Sequence, residues 1–154
     1  MALDINKMYE RAQAAFTEIE YWPQDKVDEM VNAAGWAWSK EENAMAMARL
    51  AVDESSIGVY EDKVAKIQSK TRGSLWQMRD VKTCGLVEED KEKGLKKYAK
   101  PIGVIANIVP CTNPESTVTA LGVRHILDKN LTIVSNYEEP ILFKHLLFRL
   151  KIRH

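Results

Sequence analysis

The residues best placed to do chemistry lie in one short stretch, Pro110-Cys111-Thr112-Asn113-Pro114-Glu115. It follows an apolar, β-branched run (Ile102, Val104, Ile105, Ile108, Val109) that stops at Pro110. Asn113 has the character of a helix N-cap, Pro114 suits the first helical position, and Glu115 places an acid in the first turn. A buried strand, a short loop and a helix start, in that order, form the junction at which open α/β sheets bind ligands. Elsewhere the reactive side chains are scattered. Cys84 and Cys111 belong to no CxxC pattern, and His125, His145 and His154 stand at no ligand spacing from them. This argues against a zinc site or a disulfide framework, so no metal is expected and both thiols are assigned structural roles.

The elements that must position this stretch follow from apolar periodicity. The helix opened by Pro114 runs to about residue 128, and a second apolar strand, 131–135, comes after Lys129-Asn130. Residues 102–135 therefore read as one βαβ unit, whose parallel strands require a right-handed crossover. Ahead of it, 83–87 reads as a strand, 88–94 as a charged turn and 95–100 as a returning strand. Such a hairpin is marginal alone and needs the body of the protein or another subunit beside it.

Residues 1–80 are helical in pattern. Ile5, Met8, Tyr9, Ala12, Phe16 and Ile19 make one apolar stripe at three-and-four spacing, broken at Tyr21-Trp22-Pro23. Val27, Met30, Val31, Ala34 and Trp38 make a second. Ser39-Lys40-Glu41-Glu42 has the form of a capping box, which predicts a third helix carrying Met45, Met47, Leu50 and Val52. Gly58 is a natural stop. Residues 59–79 read as a fourth helix, with Val64, Ile67, Leu75 and Trp76 on its packing side and Gly73 as a weak point. The methionines and tryptophans share faces with alanines and valines, which assigns them to the core rather than to a binding groove.

The 154 residues are one domain's length, enough to bury roughly 70% of the unfolded surface. The 22 basic and 22 acidic side chains cancel, so charge favours neither nucleic acid nor an anionic membrane as partner. The start, MALDINKMYERA, has no signal-peptide core, and no apolar run reaches the ~18 residues of a bilayer span. A soluble, cytoplasmic protein is expected.

Three segments in order, AVDESSIGVYEDKVAKI (51–67), KTCGLVEED (82–90) and KPIGVIANIVPCTNPESTV (100–118), make the chain resemble the N-terminal part of a CoA-acylating aldehyde dehydrogenase, within the aldehyde dehydrogenase superfamily. With the helical lead-in the resemblance covers residues 1–122, and its flavour is that of enzymes acting on acetaldehyde, propionaldehyde or sulfoacetaldehyde. It implies an α/β fold: N-terminal helices (1–80), a β-hairpin arm of the oligomerisation type (81–100), and a partial Rossmann-like βαβ nucleotide-binding unit with a divergent tail (101–154). It also implies NAD or NADP as cofactor, CoA as co-substrate, a small aldehyde as substrate and a homo-oligomer. In such an enzyme a cysteine thiolate attacks the aldehyde, hydride leaves to the nicotinamide, and CoA accepts the acyl group from the thioester. The nucleotide domain is of a non-standard kind, which accounts for Gly103 standing alone where a GxGxxG fingerprint would otherwise be expected.

Carried onto this sequence, the resemblance has Ile108, Val109, Pro110, Cys111 and Thr112 line the cofactor and Ser135 face the adenosine ribose. Asn113 matches the asparagine that donates to the oxyanion. Thr112 or a backbone amide is the alternative donor, and a plain helix N-cap is the alternative role for Asn113. The family's catalytic cysteine would lie beyond residue 154, so neither Cys84 nor Cys111 is taken for the nucleophile, and these residues alone are expected to be inactive. From Gly122 the match fades. Ser135-Asn136-Tyr137-Glu138-Glu139-Pro140 stands where a Ser-Pro-His-Pro turn is usual, and ILFKHLLFRLKIRH reads as a truncated or frame-shifted end. That tail is either a helix packed over the half-sheet or a surface-seeking amphipathic helix. Two functional readings follow: the N-terminal part of an acylating dehydrogenase, or a non-catalytic module pairing through its arm with itself or a full-length enzyme. A third treats residues 4–20 as a targeting helix for a protein compartment, against ordinary packing of the same helix.

Overall fold

The computed structural model describes residues 4–110, 112–127 and 131–136. Four helices come first: α1 (Ile5–Ile19), α2 (Gln24–Ser39), α3 (Glu41–Ser55) and α4 (Tyr60–Met78). An antiparallel hairpin of β1 (Gly85–Asp90) and β2 (Leu95–Ala99) follows, then β3 (Val104–Val109), α5 (Pro114–Leu127) and β4 (Leu131–Asn136). β3 and β4 pair in parallel, from Val104 opposite Leu131 to Val109 opposite Asn136, which makes the expected βαβ unit. Its first strand begins at Val104 rather than Ile102. Gly103 takes a φ of +120°, open to glycine but outside any strand, and Ile102 is left 86% exposed. The expected tail, 141–154, lies outside the described residues.

The core is built on α2, which packs on α3, α4 and α5. Val27, Val31, Ala34 and Trp38 bury one face of it, against Ala44, Met47 and Ala48 of α3 and Ile67 of α4. Each large aliphatic side chain buried this way contributes about 1.5–3 kcal/mol. Where α2 meets α5 the approach is close: a Cβ on Gly122 would lie 2.5 Å from Cη2 of Trp38, so only glycine lets the indole pass. α1, capped by the Asp4 carboxylate on the backbone N–H of Lys7 at 3.1 Å, lies against β3 and β4. Its stripe is only partly covered: Ile19 is buried, whereas Ile5 and Tyr9 are exposed.

Several local expectations give way to packing. The Ser39 capping box does not form. Ser39 is still the last residue of α2, where its hydroxyl donates to the Trp36 carbonyl at 3.3 Å, and Lys40 serves as the N-cap of α3 with no side-chain cap. The buried face of α3 is Ala44, Met47, Ala48 and Ala51, and Met45 and Leu50 face outward. Trp38 is core, but Trp36 and Trp76 are 64% and 67% exposed. They stack under cations instead, Trp36 with Lys40 Nζ 5.7 Å from the ring centroid and Trp76 with the Arg79 guanidinium at 3.6 Å. α4 runs unbroken through Gly73. No helix among the described residues is long and apolar enough to cross a membrane.

The first hairpin strand lies later than the charge pattern suggests, leaving Thr83 and Cys84 outside it and taking in 88–90; the second stops one residue short, at Ala99, and the turn shrinks to residues 91–94. Glu88 and Glu89 belong to β1 because each faces a lysine of β2: Lys97 Nζ lies 3.3 Å from Glu88, and Lys96 Nζ 3.2 Å from Glu89. A bulge at 86–88 shifts the register beside Leu86. At the turn, the Asp90 carboxylate accepts from the backbone N–H of Lys93 and of Glu92, each at 3.1 Å, with Lys93 Nζ at 3.2 Å. The Lys93 backbone bond first, then its side chain, holds the Asp90 carboxyl below its usual pKa. The root of the arm is tied to the body by Gln24. Its Oε1 accepts from the backbone N–H of Thr83 at 2.8 Å and of Cys84 at 3.0 Å, and its Nε2 donates to Asp28 at 2.8 Å.

Candidate functional site

The loop between β3 and α5 sits at the carboxyl end of a parallel strand, and α4 supplies the side chains that hold it. Lys63 and Lys66 are three residues apart, so both project from one face of α4 toward this loop. Lys63 Nζ lies 3.4 Å from the Thr112 carbonyl oxygen and 3.4 Å from Glu115 Oε1. Both side chains are interior, at 5% and 2% exposure. Lys66 Nζ lies 3.9 Å from the same Glu115 oxygen and donates to Asn113 Oδ1. Glu115 Oε2 is buried with no hydrogen-bond partner among the described residues.

A buried carboxylate is tolerable only with opposite charge and donors around it. Glu115 has two ammonium groups and the first turn of α5, whose N–H groups and dipole favour a negative charge. The helix start therefore carries its own anion. A nucleotide pyrophosphate set there in the manner of a GxGxxG turn would meet the Glu115 charge, so α5 is unlike the phosphate-binding helix of that motif. The loop does leave open surface at the strand end, because Pro110 and Thr112 are exposed.

The sequence-predicted site residues fall as follows. Ile108 pairs with Ser135 across the parallel ladder, which brings these two backbone positions to the same end of the sheet. The Val109 side chain is fully buried, so what it presents at the strand end is backbone. Cys111 lies outside the described residues. Asn113 accepts the first backbone bond of α5, from Thr117 N–H at 3.1 Å, so it holds the N-cap position. Its side-chain oxygen, however, is engaged by Lys66, and its Nδ2 lies 3.5 Å from Thr112 Oγ1. Sequence reasoning missed both lysines and the burial of Glu115. A signal existed: Lys63, Ile67, Thr71 and Ser74 are the buried residues of α4, so stepping back one turn from Ile67 along its stripe lands on Lys63.

No protein-family model matches the chain. Among curated proteins it is 40% identical over 132 residues to a sulfoacetaldehyde dehydrogenase from Acholeplasma sp, covering 86% of this chain and 27% of that protein. It is 38% identical over 134 residues to a succinate-semialdehyde dehydrogenase (acetylating) from Clostridium kluyveri, covering 86% and 29%. Among solved structures, a probable aldehyde dehydrogenase from Listeria monocytogenes EGD-e matches with a TM-score of 0.84 at 30% identity, over 88% of this chain and 29% of that one. An acetylating aldehyde dehydrogenase from Geobacillus thermoglucosidasius matches at 0.81 and 30%, over 87% and 29%. The chain thus spans under a third of the length of these relatives.

Proposed function

The chain is homologous to the N-terminal portion of the CoA-acylating aldehyde dehydrogenases, and from that premise we propose that it forms the cofactor side of an enzyme that oxidises a small aldehyde to an acyl-CoA with NAD or NADP. The observation that carries this reading is the parallel β3–α5–β4 unit with loop 110–113 at its carboxyl end. In it, Ile108, Val109, Pro110, Cys111 and Thr112 border the nicotinamide nucleotide, Ser135 borders the ribose, and Asn113, with Thr112 beside it, donates to the aldehyde oxygen as it becomes negative. The nucleotide supplies the hydride acceptor; the chain binds and orients it. In this reading these residues bind the nucleotide, and the place of the enzyme is the cytoplasm. Titration of NAD and NADP against the full chain, read by tryptophan fluorescence, is expected to saturate and to weaken in Thr112→Val. Lack of saturation with either nucleotide refutes the reading.

The hairpin favours a second role beside the first. Leu86, Val87, Leu95 and Tyr98 are exposed on β1 and β2, and each strand has an edge that no strand among the described residues pairs with. The arm then pairs copies of the chain, or pairs it with a longer subunit. Light scattering of the purified chain is expected to show a dimer or larger species, and a clean monomer at high concentration refutes self-pairing.

A further inference from the structure

The carboxamide of Asn113 has two unlike ends, and which end faces α4 decides what the group can do. Lys66 Nζ sits against Oδ1. An ammonium has three donors and no acceptor, so the end that it faces must be the oxygen. The Lys66 ammonium is itself held between this oxygen and Glu115 Oε1 at 3.9 Å. The nearest described partner of the opposite, NH2 end is Thr112 Oγ1 at 3.5 Å, the outer limit of a hydrogen bond.

This settles a competition within one side chain. A capping asparagine offers Oδ1 to the backbone N–H of the second or third helical residue. A donor to an anion offers Nδ2 and needs its oxygen occupied elsewhere. Asn113 has the backbone of the first and the side-chain engagement of the second. We propose that Lys66 is a positioning residue: by holding Oδ1 it presents the Nδ2 hydrogens of Asn113 as a dedicated donor at the loop. Their use on a developing oxyanion rests on the function proposed above. Lys63 supports the arrangement from the same face of α4 by fixing the Thr112 carbonyl and Glu115.

The test is a 15N spectrum of the full 154-residue chain, in which the Asn113 side-chain NH2 pair is identified by its loss in Asn113→Ser. K66M is expected to move that pair toward the position of a solvated asparagine and to speed its exchange with water several-fold. K66R, which restores a cationic donor, is expected to return it toward the wild-type position, with the backbone signals of α2 and α3 unchanged in both. A pair that stays in place in K66M overturns the proposal, as does a K66R spectrum no nearer to wild type than that of K66M. If K66M does not fold, the Lys66 Hε–Cε signals carry the same test: they are expected to differ between wild type and Asn113→Ser, and their coincidence overturns it. No nucleotide, aldehyde or CoA enters these measurements. Their failure removes the role of Lys66 alone, whereas failure to bind NAD or NADP removes the functional reading of the loop.

Discussion

Replacing Lys63 with methionine keeps the length and apolar stem of the side chain and deletes only its ammonium. In the folded chain that ammonium is the nearest cation to Glu115 Oε1, at 3.4 Å against 3.9 Å for Lys66, inside a site where both partners are at most 5% exposed. Its loss leaves a carboxylate whose two oxygens have, among the described residues, no partner for the one and Lys66 alone for the other. Breaking one side of a buried ion pair typically costs about 3–5 kcal/mol, and the remaining Lys66 contact argues for the lower end, about 3 kcal/mol. Glu115→Gln leaves the buried Lys63 ammonium against neutral oxygens, that of the new amide and the Thr112 carbonyl, so by the same argument its cost is also about 3 kcal/mol. The double variant K63M/E115Q no longer buries an unpaired charge, and its loss should fall short of the sum by about 2 kcal/mol. Urea unfolding followed by tryptophan fluorescence measures all four corners of the cycle. A K63M loss under 1 kcal/mol, or single losses that simply add, refutes the claim that this pair holds α5 against α4.

Three further outcomes follow from the same structure. Gln24→Ala leaves the Thr83 and Cys84 N–H groups without their acceptor, at a cost of about 1–3 kcal/mol. Hydrogen exchange at residues 83 and 84 should accelerate while α3 stays protected. Gly122→Val drives a side chain into Trp38 and should cost about 1–3 kcal/mol by overpacking, seen as a lower melting midpoint and an altered Trp38 emission. The Asp90 carboxyl is held below its ordinary pKa by Lys93, so its contribution to the hairpin turn is complete above the unfolded value and is lost as the pH falls through the lower, folded value. A 13C carboxyl titration of Asp90 should give a midpoint below that of the unfolded chain, and the acid-induced shift of the Glu92 and Lys93 amides should vanish in Asp90→Asn.

Local chemistry made part of this molecule legible in its sequence. Pro110 ends one run of β-branched residues and Asn113-Pro114-Glu115 opens a helix, signals that act within a few residues and need no tertiary help. The α2 stripe of Val27, Met30, Val31, Ala34 and Trp38 was equally plain, because it repeats at helical spacing, and all of it but Met30 is buried in the core. What did not show was decided by other elements. Ser39 is spaced correctly for a capping box, yet α2 continues through it, so its hydroxyl has no free N–H of α3 to accept from. Trp36 and Trp38 are two positions apart and therefore point to different faces of α2; only one can meet Gly122, and the other finds Lys40. Glu88 and Glu89 looked like turn residues until the lysines opposite them were in register.

The candidate site divides along the same line. Loop 110–113 and the acid at 115 were visible because a strand end and a helix start write themselves into the chain. The lysines were not, because a lysine on a helix is ordinarily a solvated one and nothing local distinguishes Lys63 from Lys70. The distinction comes from the carboxylate that α5 sets in the interior some fifty residues later: its burial requires a cation, and Lys63 is the α4 residue in line with Ile67 and Thr71 on the buried stripe. One acid in the first turn thereby fixes the packing of α4 on α5. Through Lys66, the same cluster determines which end of the Asn113 amide the loop can offer to a ligand.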